Sequence, residues 1–221
     1  MTDQPSLAEI DSAVAAFLHS EDVSALRRLV AAGASALART VQLYRLPPGD
    51  PRFPQVVRDA YRNRHDRELV DAWAVLLGAL AQAFPEAYLD EIDARRLSAR
   101  REIATIGLLD HPRAAVLLRR HSTNRDWLVR YHAVAGLGRQ TDPESARALE
   151  EALVDVEPMI RDEAARLIQR GDPRRAWVAY ERLLHHRHLA PELRQELERR
   201  LITAKRLAAR RKRPAGGGNE T

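Results

Sequence analysis

The chain has 221 residues, 45% hydrophobic but only 5% aromatic, so any core must be built mainly from Ala, Leu, Val and Ile. It has no cysteine, which excludes a disulfide framework, a thiolate metal site and a cysteine nucleophile. Its net charge of +5 is divided unevenly: residues 1–93 carry 9 basic and 14 acidic groups, and residues 94–221 carry 27 and 17.

Ser6-Leu-Ala-Glu9 has the spacing of a capping box, and Leu7, Ile10, Val14, Phe17 and Leu18 then share one helical face. A second helix is predicted from Asp22 to Ala32, with Gly33 as its stop, and a third from Ser35 to Tyr44. Residues 1–45 thus read as an N-terminal helical cap. Residues 46–54 contain four prolines, each of which fixes φ and removes a donor, and read as a stiff Pro-rich connector. Residues 55–93 read as a longer helix pair whose second member carries Trp73 and ends near Pro85. Helices are then predicted at 94–109, 112–121, 126–138, 143–155, 158–170, 173–187 and 191–211. In this reading 55–209 is a repeat array closed by a capping helix, and 210–221 is a flexible basic, Gly-rich tail. Strand-like alternation is absent, which makes the expected class all-α. The most apolar stretch, 72–84, is too short to span a bilayer, and the N-terminus lacks a signal-like apolar region. A soluble, cytoplasmic location is the expectation.

Pro112, Pro143 and Pro173 follow one another at 31 and 30 residues, each just after an acidic residue or an Asp-His pair. A helical period near thirty predicts an α-solenoid of stacked antiparallel helix pairs. The best internal match places 126–138 over 157–169 at an offset of 31. It pairs Val129 with Ile160, Arg130 with Arg161, Ala133 with Ala164 and Leu137 with Ile168. A weaker third copy begins at Arg101. The pattern Val-Arg-x-x-Ala-x-x-x-Leu-Gly, followed by an Asp-Pro turn and a second amphipathic helix, resembles the short HEAT-like repeat of the phycobilisome-lyase type. The resemblance covers about 94–187. It implies a HEAT-like superhelix whose second helices line a concave, partner-binding side.

Several constellations invite a functional reading. Arg130 and Arg161 each stand beside an apolar residue; they suit either a partner-binding row or structural bonding to helix-end carbonyls or Asp side chains of adjacent repeats, with Asp126, Asp155 and Asp162 available. Trp73, Trp127 and Trp177 suit core or inter-repeat anchoring better than base stacking. HEAT-like DNA glycosylases use Trp and a carboxylate, but their Trp-Trp-Asp motif is missing here. His185-His186-x-His188 suits a solvated helix end better than a metal site, and the His-Glu dipeptides of HEAT-like di-iron hydroxylases are absent. Glu150-Glu151 and Asp162-Glu163 are expected on exposed faces. No phosphate loop, nucleophile elbow or metalloprotease helix occurs.

These readings favour a non-enzymatic scaffold or adaptor with a protein partner, needing no cofactor or metal. Helical phase nominates Arg96, Arg100, Tyr131, His132, Asp162 and Arg166 as exposed partner-binding residues. The alternative is a nucleic-acid-binding, glycosylase-like protein using the basic C-terminal half. Its candidate residues are Arg206, Arg210, Arg211, Lys212 and Arg213, although no aromatic residue occurs from 181 onward. A bilin-lyase-like enzyme rests on the resemblance alone.

Overall fold

The computed structural model describes residues 5–47, 50–62, 64–93, 99–185 and 189–211, and the side chains of all of these except 99–101 and 211. Among them every regular element is a helix, in the all-α class of helical-repeat solenoids that the thirty-residue period predicts. The chain divides into two compact units, Met1–Leu117 and Leu118–Thr221, the division falling inside the helix Pro112–His121.

The first unit contains α1 (Leu7–Ser20), α2 (Val23–Ala31), α3 (Ala34–Arg45), α4 (Gln55–Arg62), α5 (Asp66–Ala83), α6 (Pro85–Asp93) and α7 (Ala99–Ile106), with the start of α8 (Pro112–His121). The expected capping box is formed: the Ser6 hydroxyl accepts from the Glu9 amide, and Glu9 accepts from the Ser6 amide at 2.7 Å. Gly33, at φ 75°, lets the chain turn between α2 and α3 in a region that strains residues with a Cβ.

Residues 55–93 form three helices rather than the predicted pair. Helix α5 follows the extended His65, carries Trp73 buried at mid-helix and ends at Ala83, near Pro85 as read; the additional helix is α6, which Pro85 starts. The Pro-rich segment is packed rather than merely bridging. Phe53 is buried edge-on to Tyr61 at 5.3 Å, and Arg58 donates to the Phe53 carbonyl at 2.9 Å. Helix α1 packs directly on α4, beyond that segment, so the N-terminal helices and α4–α7 share one core.

Arginines fasten this unit between distant segments, Arg64 among them, which reaches the Leu18 carbonyl at 2.8 Å and Glu21 at 3.0 Å. Arg39 makes a two-pronged bond to Asp11, both contacts at 2.8 Å. Arg45 of α3 donates to Glu102 of α7, a carboxylate that is almost wholly buried. Glu86, Asp90 and Asp93 follow one another along one face of α6, and all three meet Arg113.

The second unit contains the end of α8, then α9 (Trp127–Leu137), α10 (Pro143–Glu151), α11 (Pro158–Gly171), α12 (Pro173–Leu184) and α13 (Pro191–Arg211). Asp142 and Asp172 cap α10 and α12, each with Pro at the first helical position, where its missing N–H costs nothing. The predicted helix over 143–155 stops at Glu151 and continues only as a 3₁₀ turn, Ala152–Val154. Helix α12 ends at Leu184, short of the predicted 187, and 186–188 lie outside the described residues. The aligned apolar positions share a fate: Val129, Ala133 and Leu137, like Ile160, Ala164 and Ile168, are buried. Helix α12 packs on α13, and both bury alanines, Ala176 and Ala179 in the first and Ala204 and Ala208 in the second.

Gly138 marks another close approach. A Cβ built there would lie 2.4 Å from Leu167 Cδ2 and 2.9 Å from its Cγ. Gly138→Ala is therefore expected to destabilise the protein by about 1–3 kcal/mol through overpacking, despite alanine's better helix propensity. Adding Leu167→Ala should recover part of the loss relative to the sum of the single changes. Urea unfolding of the two single variants and the double variant checks this; strict additivity would refute the contact.

Candidate functional site

The arginines that head the aligned repeats do the same structural job twice. Arg130 donates to the Asn124 and Arg125 carbonyls at 2.9 and 3.3 Å. Arg161 donates to the Asp155 and Val156 carbonyls at 3.0 and 3.3 Å. In both cases the acceptors lie six and five residues back, in the turn that leads into the helix. Each guanidinium then takes a carboxylate from later in the chain. Arg130 grips Asp155 through both oxygens at 2.8 and 2.9 Å, and Arg161 takes Glu196 of α13 at 2.8 Å. Arg119 adds a third link, to Asp142 at 2.7 Å and Ser145 at 3.2 Å. Of the three aspartates considered from sequence, Asp155 is the partner of Arg130. Arg161 takes Glu196 instead of Asp162.

Between these clamps, the solvent-facing sides of α9 and α11 carry four of the nominated residues. Tyr131 and Asp162 occupy equivalent repeat positions, as do His132 and Glu163. Asp162 and Arg166 are exposed, whereas Tyr131 and His132 are half-buried rather than exposed. The Tyr131 and His132 rings meet edge-on at 5.6 Å. Burial pushes the His132 imidazole below its ordinary value, so it is neutral at neutral pH. Arg166 is held by Glu163 and lies within electrostatic reach of Tyr131. Asp162 is paired with Arg200 of α13. The structure thus gathers Tyr131, His132, Asp162 and Arg166 on α9 and α11. Arg96 and the side chain of Arg100 lie outside the described residues.

Two residues absent from the sequence-based candidates complete this surface. Glu196 bridges Arg161 and Arg200, and Arg200 in turn reaches Asp162. The signal was present as an i,i+4 Glu-to-Arg pair on α13, but it gives no hint of the α11 partners. The expected exposure of Glu150 and Glu163 also needs correction. Glu150 is largely covered because Arg175 and Arg182 of α12 converge on it, and Arg166 folds over Glu163.

The tryptophans divide by role. Trp73 donates its indole N–H to the Tyr61 hydroxyl at 2.6 Å and stacks obliquely on Tyr44, a core position closed to a base. Trp127 is 42% exposed at the start of α9, where Asp126 is occupied as the cap. The Trp177 ring is covered by the Lys205 ammonium, 5.1 Å from its centroid. His185 bonds the Glu181 carbonyl; His186 and His188 lie outside the described residues. Among the described residues no group of three His, Asp or Glu side chains is placed to hold a metal. A groove of about 600 Å³ between α1 and α2 is walled mostly by small apolar residues such as Ala8, Ala13 and Leu29. Of its charged neighbours, Glu9 is tied to Ser6.

Arg206 and Arg210 stand exposed on α13, which runs to Arg211, so they belong to a helix and not to a flexible tail. Lys212 and Arg213, with the Arg211 side chain, lie outside the described residues. No single described helix is long and apolar enough to cross a membrane.

Residues 87–169 match the family model for HEAT repeats. Over that span the chain is similar to HEAT-repeat proteins. The match is to HEAT repeats in general and does not single out the phycobilisome-lyase type. No curated protein matches the chain. HEAT repeats generally mediate protein–protein interaction, through surfaces that stacked helices hold in fixed register.

The clamps make two predictions. Arg130 and Asp155 are each little more than one-tenth exposed, and removing one partner strands the other charge. Arg130→Ala should therefore cost about 2–4 kcal/mol, read as a lower urea midpoint, whereas Arg147→Ala, which breaks an exposed pair, should cost under about 1 kcal/mol. Equal costs would refute a structural role for the clamp. The Arg161 guanidinium, with that of Arg200, holds the Glu196 carboxyl below the usual carboxylate value. A depressed folded-state value stabilises above the ordinary glutamate range, and that contribution is lost as pH falls through the folded value. Hydrogen exchange of the α13 amides should accelerate as pH drops below about 4.5, after correction for intrinsic exchange. Glu196→Gln should be faster at neutral pH and less acid-sensitive; an unchanged acid response would assign the effect elsewhere.

Proposed function

We propose that this HEAT-like protein is a non-enzymatic, cytoplasmic scaffold that binds a protein partner through the outward side of α9 and α11. One observation carries the reading. Seam arginines Arg119, Arg130 and Arg161 are tied into turns and neighbouring helices, while Tyr131, His132 and Arg166 remain at the surface above them. A surface whose backbone is already fastened loses little conformational freedom on binding. Its chemistry also suits a protein: a Tyr and a neutral His supply apolar area with polar tips, and Arg166 supplies a planar donor.

The test is paired affinity capture from the native lysate, comparing wild type with Tyr131→Ala/Arg166→Ala after nuclease treatment. A discrete protein retained by the wild type should be lost or weakened at least about tenfold by the double variant, with helicity by circular dichroism unchanged; about 1.4 kcal/mol corresponds to that factor. Equal recovery on both would refute this face as the docking surface.

A further inference from the structure

Helix α13 carries a second surface, independent of the one above. From 199 to 211 its sequence has six basic residues and no acid. The structure sorts them. Arg200 is tied to Asp162 and Glu196, and Lys205 is tied to Glu181 at 2.8 Å beside the Trp177 ring. Arg199, Arg206 and Arg210 are exposed, and among the described residues none of them meets a carboxylate; Arg199 makes only a long bond to the Gln195 carbonyl, at 3.4 Å.

These three share one stripe. Steps of seven and eleven residues are close to whole numbers of turns, so Arg206 and Arg210 each lie within about 20° of Arg199 around the axis, on opposite sides of it, at successive rises of about 10 and 6 Å. The opposite side of the helix, with Leu197, Ala204 and Ala208, is buried, and α13 packs on α12. On the same stripe the nearest acid is Glu192, about two turns before Arg199.

We propose that this stripe binds the phosphate backbone of a nucleic-acid duplex. Unpaired guanidiniums in a row complement a regular row of phosphates, with a planar donor geometry suited to them. The stripe carries no aromatic side chain, so it offers no platform for unpaired bases, and binding is to the backbone without sequence preference. The apolar side of α13 is occupied within the fold, which leaves no apolar face to enter a lipid surface.

The test is fluorescence anisotropy of the full chain with a fluorescein-labelled DNA duplex of arbitrary sequence. Three phosphate contacts give a log–log salt slope of about −2.7, so affinity should fall about fortyfold between about 50 and about 200 mM salt. Arg199→Gln/Arg206→Gln/Arg210→Gln should abolish most binding and bring the slope near zero. Arg120→Gln/Arg125→Gln/Arg139→Gln, which removes the same charge from α8, α9 and their flanks, should leave both nearly unchanged. The proposal is overturned if wild type fails to bind at about 50 mM salt or if the two triple variants weaken binding equally. It is also overturned if Arg211→Gln/Lys212→Gln/Arg213→Gln alone abolishes binding, or if polyglutamate or anionic vesicles bind more tightly than the duplex and through the same three arginines.

Discussion

The second unit depends on one repeated arrangement: a guanidinium at the fourth position of a helix that holds the carbonyls of its own entry turn and a carboxylate from farther along. A turn between two helices presents carbonyl groups that the helices cannot satisfy, and a buried carboxylate needs a cation with several donors. Arginine answers both needs at once because its planar fork has five N–H donors. Arg130 and Arg161 use it identically toward the turn, at acceptors six and five residues back. They differ only in the acid supplied: Asp155 from the following turn in one case, Glu196 from the last helix in the other. The helix stripes supply burial, and the clamps fix the turns that set the spacing between helices.

The first unit reaches cohesion by a different route. Its polar links are individual rather than periodic. Asp11 with Arg39, Glu102 with Arg45, and the α6 acids with Arg113 each join a particular pair of segments. Its core also holds most of the larger aromatics, with Phe53, Tyr61, Trp73 and Tyr44 in ring contact. Bulky rings fill an irregular space between unequal helices, whereas alanine fits the uniform seams of a repeat. This contrast is the physical reason the thirty-residue period weakens toward the N-terminus: a sequence packed around unique rings has no cause to repeat.

Legibility in the sequence follows the range of the interaction. Helix starts depend on residues three or four apart, so the Ser6–Glu9 box and the Asp-Pro caps of α10 and α12 could be read directly. The buried positions Val129, Ala133, Ile160 and Ala164 followed from periodicity in the same way. The separate helix α6 did not, because Pro85 serves equally well as the stop after one helix and as the first residue of the next. Pairing across helices was harder still. Nothing local distinguishes Glu196 from Asp162 as the partner of Arg161, and nothing shows that Arg175 and Arg182 cover Glu150. A surface acid and a bridging acid look alike until the neighbouring helix is in place.

The same limit bears on how the basic residues are understood. Arginine accounts for all but two of the 36 basic side chains, so composition alone presents an undifferentiated cationic protein. The fold separates these groups by what they face. Those on the seams meet carbonyls and carboxylates, their charge is compensated at short range, and an incoming anion would have to displace a bond already made. Those on the outer stripe of α13 face solvent opposite a buried alanine side, and their field is cancelled only by mobile ions. Net charge is therefore a poor guide to affinity here. Two arginines one position apart, Arg199 and Arg200, have opposite fates because a helix turns by about 100° per residue: one belongs to the structure and the other remains available to a ligand.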